Sequence, residues 1–201
     1  MAPVIPDPAR IRGFPDAAAF EAWLSAEHDR APELWLKIHK KESGLPTVSY
    51  AEALDVALCW GWIDGQKKSF DAHSFLQRFT PRGQKSIWSQ RNIEHVDRLT
   101  AAGRMTPHGQ RHIDAARADG RWDRAYAAAS EMEQPEDLVA AIRANPAAGA
   151  TYETLNRQNL FALAFRVHNL KTPAGRAKKI AAFVEMLARG ETIYPNGKGK
   201  P

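Results

Sequence analysis

The sequence predicts an α+β protein: a small antiparallel sheet with flanking helices, followed by a helical C-terminal module. Three observations carry that reading. Leu34, Leu36 and Ile38 alternate with Trp35, Lys37 and His39, the two-residue period of a strand. Helical stretches on both sides of that run begin at Asp, Ser, Thr or Asn, the residues whose side chains satisfy the free amides of a first turn. After Pro81 the apolar spacing is that of helices throughout.

Residues 1–13 contain Pro3, Pro6, Pro8 and Gly13 and read as an extended lead-in. Asp16 caps a helix running to about His28, with Phe20, Trp23 and Leu24 on one face. Pro32 breaks that pattern, and the strand over 33–39 closes in a turn at Ser43-Gly44-Leu45-Pro46. Ser49 and Glu52 form a capping box for a helix carrying Ala53, Leu54, Ala57 and Leu58, which ends near Gly61. Gln66 to Phe70 and Phe75 to Thr80 make a hairpin around Asp71, Ala72 and His73. Helices follow from Ser89 to Ala102, stopped by Gly103, and from Thr106-Pro107 to Gly120. The acidic stretch Ser130 to Asp137 reads as a linker, with Pro135 opening a helix toward Ala144 and Asn145-Pro146 opening another. Asn156 caps a helix with Leu160, Phe161, Leu163 and Phe165, and Thr172-Pro173 opens the last one. There Ile180, Phe183, Val184 and Leu187 form a stripe that ends before Gly190. The expected organisation is an α+β domain over 14–125 and a helical module over 135–190. Residues 1–13 and 194–201 are expected to be extended or disordered tails.

Composition narrows the function. With 201 residues, 44% hydrophobic and 25% charged, the chain is globular, and wholesale disorder is excluded. Cys59 stands alone, so no intrachain disulfide and no cysteine-rich zinc site can form. No basic start followed by an apolar run is present, and apolar stretches such as Leu160 to Phe165 are far too short to span a membrane. The expected location is the cytoplasm. Positive charge is concentrated in two blocks: residues 66–124 hold 12 basic against 6 acidic side chains, and residues 166–201 hold 8 against 2. Such blocks suit an anionic partner, and Arg176, Lys178 and Lys179 on the last helix are the candidate contacts to nucleic acid. A solvated basic face accounts for the same residues.

The densest candidate site is Cys59-Trp60-Gly61-Trp62-Ile63-Asp64-Gly65-Gln66, followed by Gln77-Arg78-Phe79-Thr80-Pro81-Arg82 and by Trp88. A hairpin folded back on the helix end would let Trp60, Trp62 and Trp88 wall a pocket floored by Asp64, Gln66, Arg78 and Arg82. Stacking and bidentate hydrogen bonds there suit a small planar or anionic ligand. Packing of the tryptophans and a local ion pair explain the same cluster without a ligand. Cys59, at the apolar end of a helix, reads as a small buried hydrophobe rather than a nucleophile. His108 and His112 stand four apart on one helix face, but no third ligand is evident and no metal site or cofactor is expected. The chain also lacks a phosphate-cradling glycine loop, a serine nucleophile elbow and a dinucleotide fingerprint. The sequence therefore reads as a binding protein, with no catalytic residue to name. A small-molecule enzyme using the same pocket and a nucleic-acid binder are the alternatives.

Several motifs occur in an order that resembles a known family. They are Glu33-Leu34-Trp35-Leu36, then Tyr50 to Asp55, Ala57 to Gly65, Gln77 to Arg82, Trp88-Ser89 and Gly103 to Pro107. Together with the basic closing segment Pro173 to Gly190, the succession is similar to the YdeI/OmpD-associated, or bacteriocin-protection, family over roughly residues 15–190. The resemblance implies a part in tolerance of bacteriocins or cationic antimicrobial peptides, with no established enzyme activity and no catalytic residues to carry over. It also implies an N-terminal part like the YjbR/CyaY α+β fold, in a wider group of which some members are thought of as DNA-binding.

Overall fold

A computed structural model describes residues 4–127, 131–170 and 172–196, and all but one of its described α-helices start where the sequence places a side-chain acceptor. Asp16 accepts from the Ala19 amide at the head of α1 (Ala17–Glu27), and Ser49 accepts from Glu52 at the head of α2 (Tyr50–Cys59). In α2 the Glu52 carboxylate returns a bond to the Ser49 amide, completing the capping box. Ser89 and Thr106 cap α3 (Gln90–Ala101) and α4 (Pro107–Ala118) in the same way. Each such cap stabilises its helix by about 1 kcal/mol.

The sheet has four strands in the order β1-β2-β4-β3: β1 (Ile11–Gly13), β2 (Leu34–His39), β3 (Trp62–Ser69) and β4 (Ser74–Pro81). The expected α+β class holds, with one difference in the sheet. β2–β4 and β4–β3 are antiparallel, but β1 pairs parallel with β2, Ile11 opposite Trp35, so the sheet is mixed. Three residues of the expected lead-in carry no alternation from which this pairing could be read. β3 also begins earlier than the hairpin reading placed it. Trp62 already lies opposite Pro81, and the register shifts between Asp64 and Lys67.

One apolar cluster joins this sheet to α1 and α2. It contains Phe20 and Leu24 of α1, Leu34, Leu36 and Ile38 of β2, Ala53, Val56 and Ala57 of α2, Trp62 and Phe79. Full burial of each large side chain stabilises the fold by about 1.5–3 kcal/mol. A second cluster takes the opposite side of α2, where Leu54, Leu58 and Cys59 meet Trp88, Val96, Leu99 and Ile113. Packed against α1, β3, α3 and α4, α2 buries Val56 to Cys59 completely in its last turn.

The chain divides into two compact units, Met1–Ala125 and Tyr126–Pro201. The second unit holds α5 (Glu136–Arg143), α6 (Pro146–Glu153), α7 (Arg157–His168) and α8 (Pro173–Ala188). Leu138, Ile142, Ala148, Leu163, Val167, Ile180, Phe183 and Leu187 form its core. The start of the expected tail is held in place: the Tyr194 amide donates to Asn159 Oδ1 at 2.9 Å, and Asn196 Nδ2 donates to the Thr154 carbonyl at 2.8 Å. Ser130 of the expected linker and residues 197–201 lie outside the described residues. Among the described residues no helix is long and apolar enough to cross a membrane.

Candidate functional site

Three helix ends of the first unit converge on Trp60. The C-terminal end of α2 is closed by Gly61, whose φ of +74° favours a residue without a side chain. The space there is also taken, because a Cβ on Gly61 would lie 2.5 Å from His112 Cδ2 and 3.0 Å from the His108 carbonyl oxygen. The start of α4 is fixed to the same spot. Thr106 donates through its hydroxyl (2.6 Å) and its amide (3.2 Å) to the Cys59 carbonyl, one of the last free acceptors of α2. Gly109, one turn into α4, lets the two backbones touch, since a Cβ there would run into the Cys59 carbonyl oxygen and lie 2.7 Å from Met105 Cε.

This docking brings His108 to His28 at the end of α1. His28 Nδ1 donates to the Leu24 carbonyl at 3.0 Å, and the His28 carbonyl accepts from the Trp62 indole at 3.1 Å. With Nδ1 so engaged, His28 Nε2 faces His108 Nδ1 at 3.0 Å and Asp29 Oδ2 at 3.0 Å. Asp29 Oδ1 accepts from Arg111 of α4 at 3.1 Å. That hydrogen bond, opposed by slight burial and aided by His28, holds the Asp29 carboxyl below the usual carboxylate range. Trp60 lies nearly parallel to the His108 ring, with centroids 5.7 Å apart, and donates to Glu21 Oε1 at 3.4 Å. His112 points instead toward Gly61. Burial, with the charges of Arg111, Arg82 and Arg121, pushes its imidazole below the ordinary value.

The seven residues expected to share one pocket take different places. Trp62 is buried in the first apolar cluster, Trp88 is buried in the second, and half-buried Trp60 packs against both. Asp64 accepts a hydrogen bond from the Tyr50 hydroxyl at 2.8 Å, while Gln66 is exposed where the β3–β4 register shifts. Arg78 is drawn to Glu33, its Nη2 2.6 Å from Oε2, and Glu33 also binds Arg10. Arg82 and Trp88 do meet: the guanidinium carbon stands 3.5 Å from the ring centroid, and both residues are buried. Cys59 is buried too, and burial is the main cause that pushes its thiol up to about 11.

On α8, Arg176 grips Asp137 through Nε (2.6 Å) and Nη2 (2.7 Å) and donates to the Val167 carbonyl, so it is tied into the second unit. Lys179 lies 5.7 Å from the Phe183 ring, and Lys178 is exposed. The residues that sequence reasoning missed are His28, Asp29 and Arg111. Local spacing pairs His108 only with His112, four residues away, whereas its ring partner lies 80 residues earlier.

Residues 12–112 match the family described as "Domain of unknown function (DUF8412)", and residues 131–190 match the one described as "Bacteriocin-protection, YdeI or OmpD-Associated". No curated protein and no solved structure matches the chain. The YdeI/OmpD-associated match covers the C-terminal helices, while the motifs of residues 33–107 fall in the DUF8412 match. The chain thus belongs to the DUF8412 family through its N-terminal half and carries a YdeI/OmpD-associated domain at its C-terminal end.

Proposed function

We propose that the chain is a non-enzymatic cytoplasmic binding protein that contributes to tolerance of bacteriocins or antimicrobial peptides. Its ligand is held by the first unit where α1, α2 and α4 meet. One observation carries the reading: His28, Asp29 and His108, from two helix ends, turn their polar atoms toward one another beside the half-buried ring of Trp60. Of the residues expected to bind ligand, Trp60 belongs to this site and Trp62 positions His28 through its indole hydrogen bond. Arg78 is paired with Glu33, and Arg82 stacks on Trp88. The match at residues 131–190 supplies the biological context.

The test is a deletion strain complemented with wild type or with His108→Ala and challenged with a cationic antimicrobial peptide. Deletion should lower the growth-inhibiting concentration severalfold, and wild type should restore it. His108→Ala, accumulating to the same level, should not. Unchanged tolerance on deletion, or full rescue by His108→Ala, would refute the reading.

A further inference from the structure

We propose that His28 Nε2, His108 Nδ1 and Asp29 Oδ2 form a binding site for a divalent transition-metal cation, with Zn²⁺ the best fit. This deepens the functional reading above and rests on it for the site's biological role. The three donor atoms lie within 4.8 Å of one another, and two of the pairs stand at 3.0 Å. Two imidazole nitrogens and one carboxylate oxygen are the ligand chemistry of zinc and its neighbours, not of magnesium or calcium.

Counting hydrogens shows why a cation belongs there. The Leu24 carbonyl can only accept, so the hydrogen on His28 Nδ1 is committed to it. If His28 is neutral, Nε2 is a lone pair. His108 Nδ1–H can satisfy it, but Asp29 Oδ2, which is also an acceptor, then faces that lone pair at 3.0 Å. If His28 carries a second hydrogen, Nε2–H points toward two acceptors and cannot serve both fully. One cation between the three atoms meets all of them at once.

The surrounding contacts are those that orient metal ligands. The bond to Leu24 turns the Nε2 lone pair of His28 inward, and Arg111 binds Asp29 Oδ1, leaving Oδ2 for the cation. Trp60 lies against the rings of both histidines. Zn–N bonds of about 2.0–2.1 Å at a tetrahedral angle place two ligand atoms roughly 3.3 Å apart, so the two 3.0 Å spacings open by a few tenths of an ångström while the His108–Asp29 pair, within 4.8 Å, adjusts to the same separation. The Asp29 side chain is 58% exposed and its partner Arg111 is 56% exposed, so the pair can shift together to make that adjustment, and the same exposure gives the cation a way in. Three protein ligands leave a fourth position for water or a donor atom of a bound molecule, which marks a ligand-binding rather than a closed structural site.

The experiment uses the full chain freed of metal with a chelator. Zn²⁺ is added in a calorimeter, and Co²⁺ is followed by its visible absorption. One equivalent should bind. Asp29→Asn, a near-isosteric change at an exposed side chain, should weaken binding at least about tenfold with an unchanged circular dichroism spectrum, and His108→Ala more. His73→Gln, at an exposed position in the β3–β4 turn, should leave it unchanged. No saturable binding, or equal affinity in wild type and Asp29→Asn, would overturn the proposal. If zinc does not bind but His108→Ala still fails to restore peptide tolerance, the metal is refuted and the ligand site stands. If zinc binds and His108→Ala restores tolerance, the metal stands and the functional reading falls.

Discussion

Replacing Gly109 by alanine should destabilise the first unit, although glycine is the poorer helix former. In an open helix the change would add up to about 1 kcal/mol of stability. Here the new Cβ would run into the Cys59 carbonyl oxygen and lie 2.7 Å from Met105 Cε and 2.9 Å from the Cys59 carbonyl carbon. The carbonyl closes the end of α2 and cannot rotate away, so α4 must back off. Overpacking costs about 1–3 kcal/mol, and moving α4 weakens the two Thr106 bonds to Cys59, each contributing about 1 kcal/mol. With both bonds lost and the propensity gain subtracted, the net loss is about 2–4 kcal/mol. Gly149 in α6 is the control: its Cβ would approach nothing nearer than the Ile142 carbonyl oxygen at 3.9 Å, so alanine there should stabilise the second unit. Urea unfolding followed by circular dichroism, with a transition fitted for each unit, reads both signs. Equal or greater stability of Gly109→Ala would refute the close docking of α4 on α2, and with it the placement of His108.

Further predictions concern charge and capping. His112 titrates below the ordinary imidazole value in the folded protein, so the unfolded chain takes up its proton first. Its contribution is present above about pH 6.5 and is lost as the pH falls through the lowered folded value; His112→Gln should flatten that part of a plot of urea midpoint against pH. Arg78→Ala leaves the nearly buried Glu33 with Arg10 at 3.2 Å as its remaining guanidinium partner, and thermal unfolding should show a loss of about 1–2 kcal/mol. Ser49→Ala removes the hydroxyl that accepts from the Glu52 amide but keeps the Ser49 amide that donates to the Glu52 carboxylate, and should cost about 1 kcal/mol in the same assay, with the Glu52 carboxyl rising part of the way toward its usual value.

The legible parts of this fold are the local ones. Asp16, Ser49, Ser89, Thr106, Asn145, Asn156 and Thr172 each bind an amide three residues on, a contact that sequence spacing alone specifies. The alternation in β2 was equally plain. β1 was not, because three partly exposed residues gain strand conformation only from a partner more than twenty positions away. The site divides along the same line. Clustering of tryptophan and arginine singles out the end of α2 and the strands beside it, yet composition does not tell the buried Trp62 and Trp88 from the half-buried Trp60. The four-residue spacing of His108 and His112 places both on one helix face, but α4 sends one to His28 and the other to Gly61. That parting depends on where Gly109 lets α4 dock, a tertiary fact with no local signature.

The most direct test of the site is nitrogen-15 NMR of the histidine side chains during a zinc titration. Before zinc, His28 should show its hydrogen on Nδ1, as the bond to Leu24 requires. Zinc should then move His28 Nε2 and His108 Nδ1 together, saturating at one equivalent, while His39 and His73 stay in place. Shifts confined to other histidines, or none at all, would contradict the account.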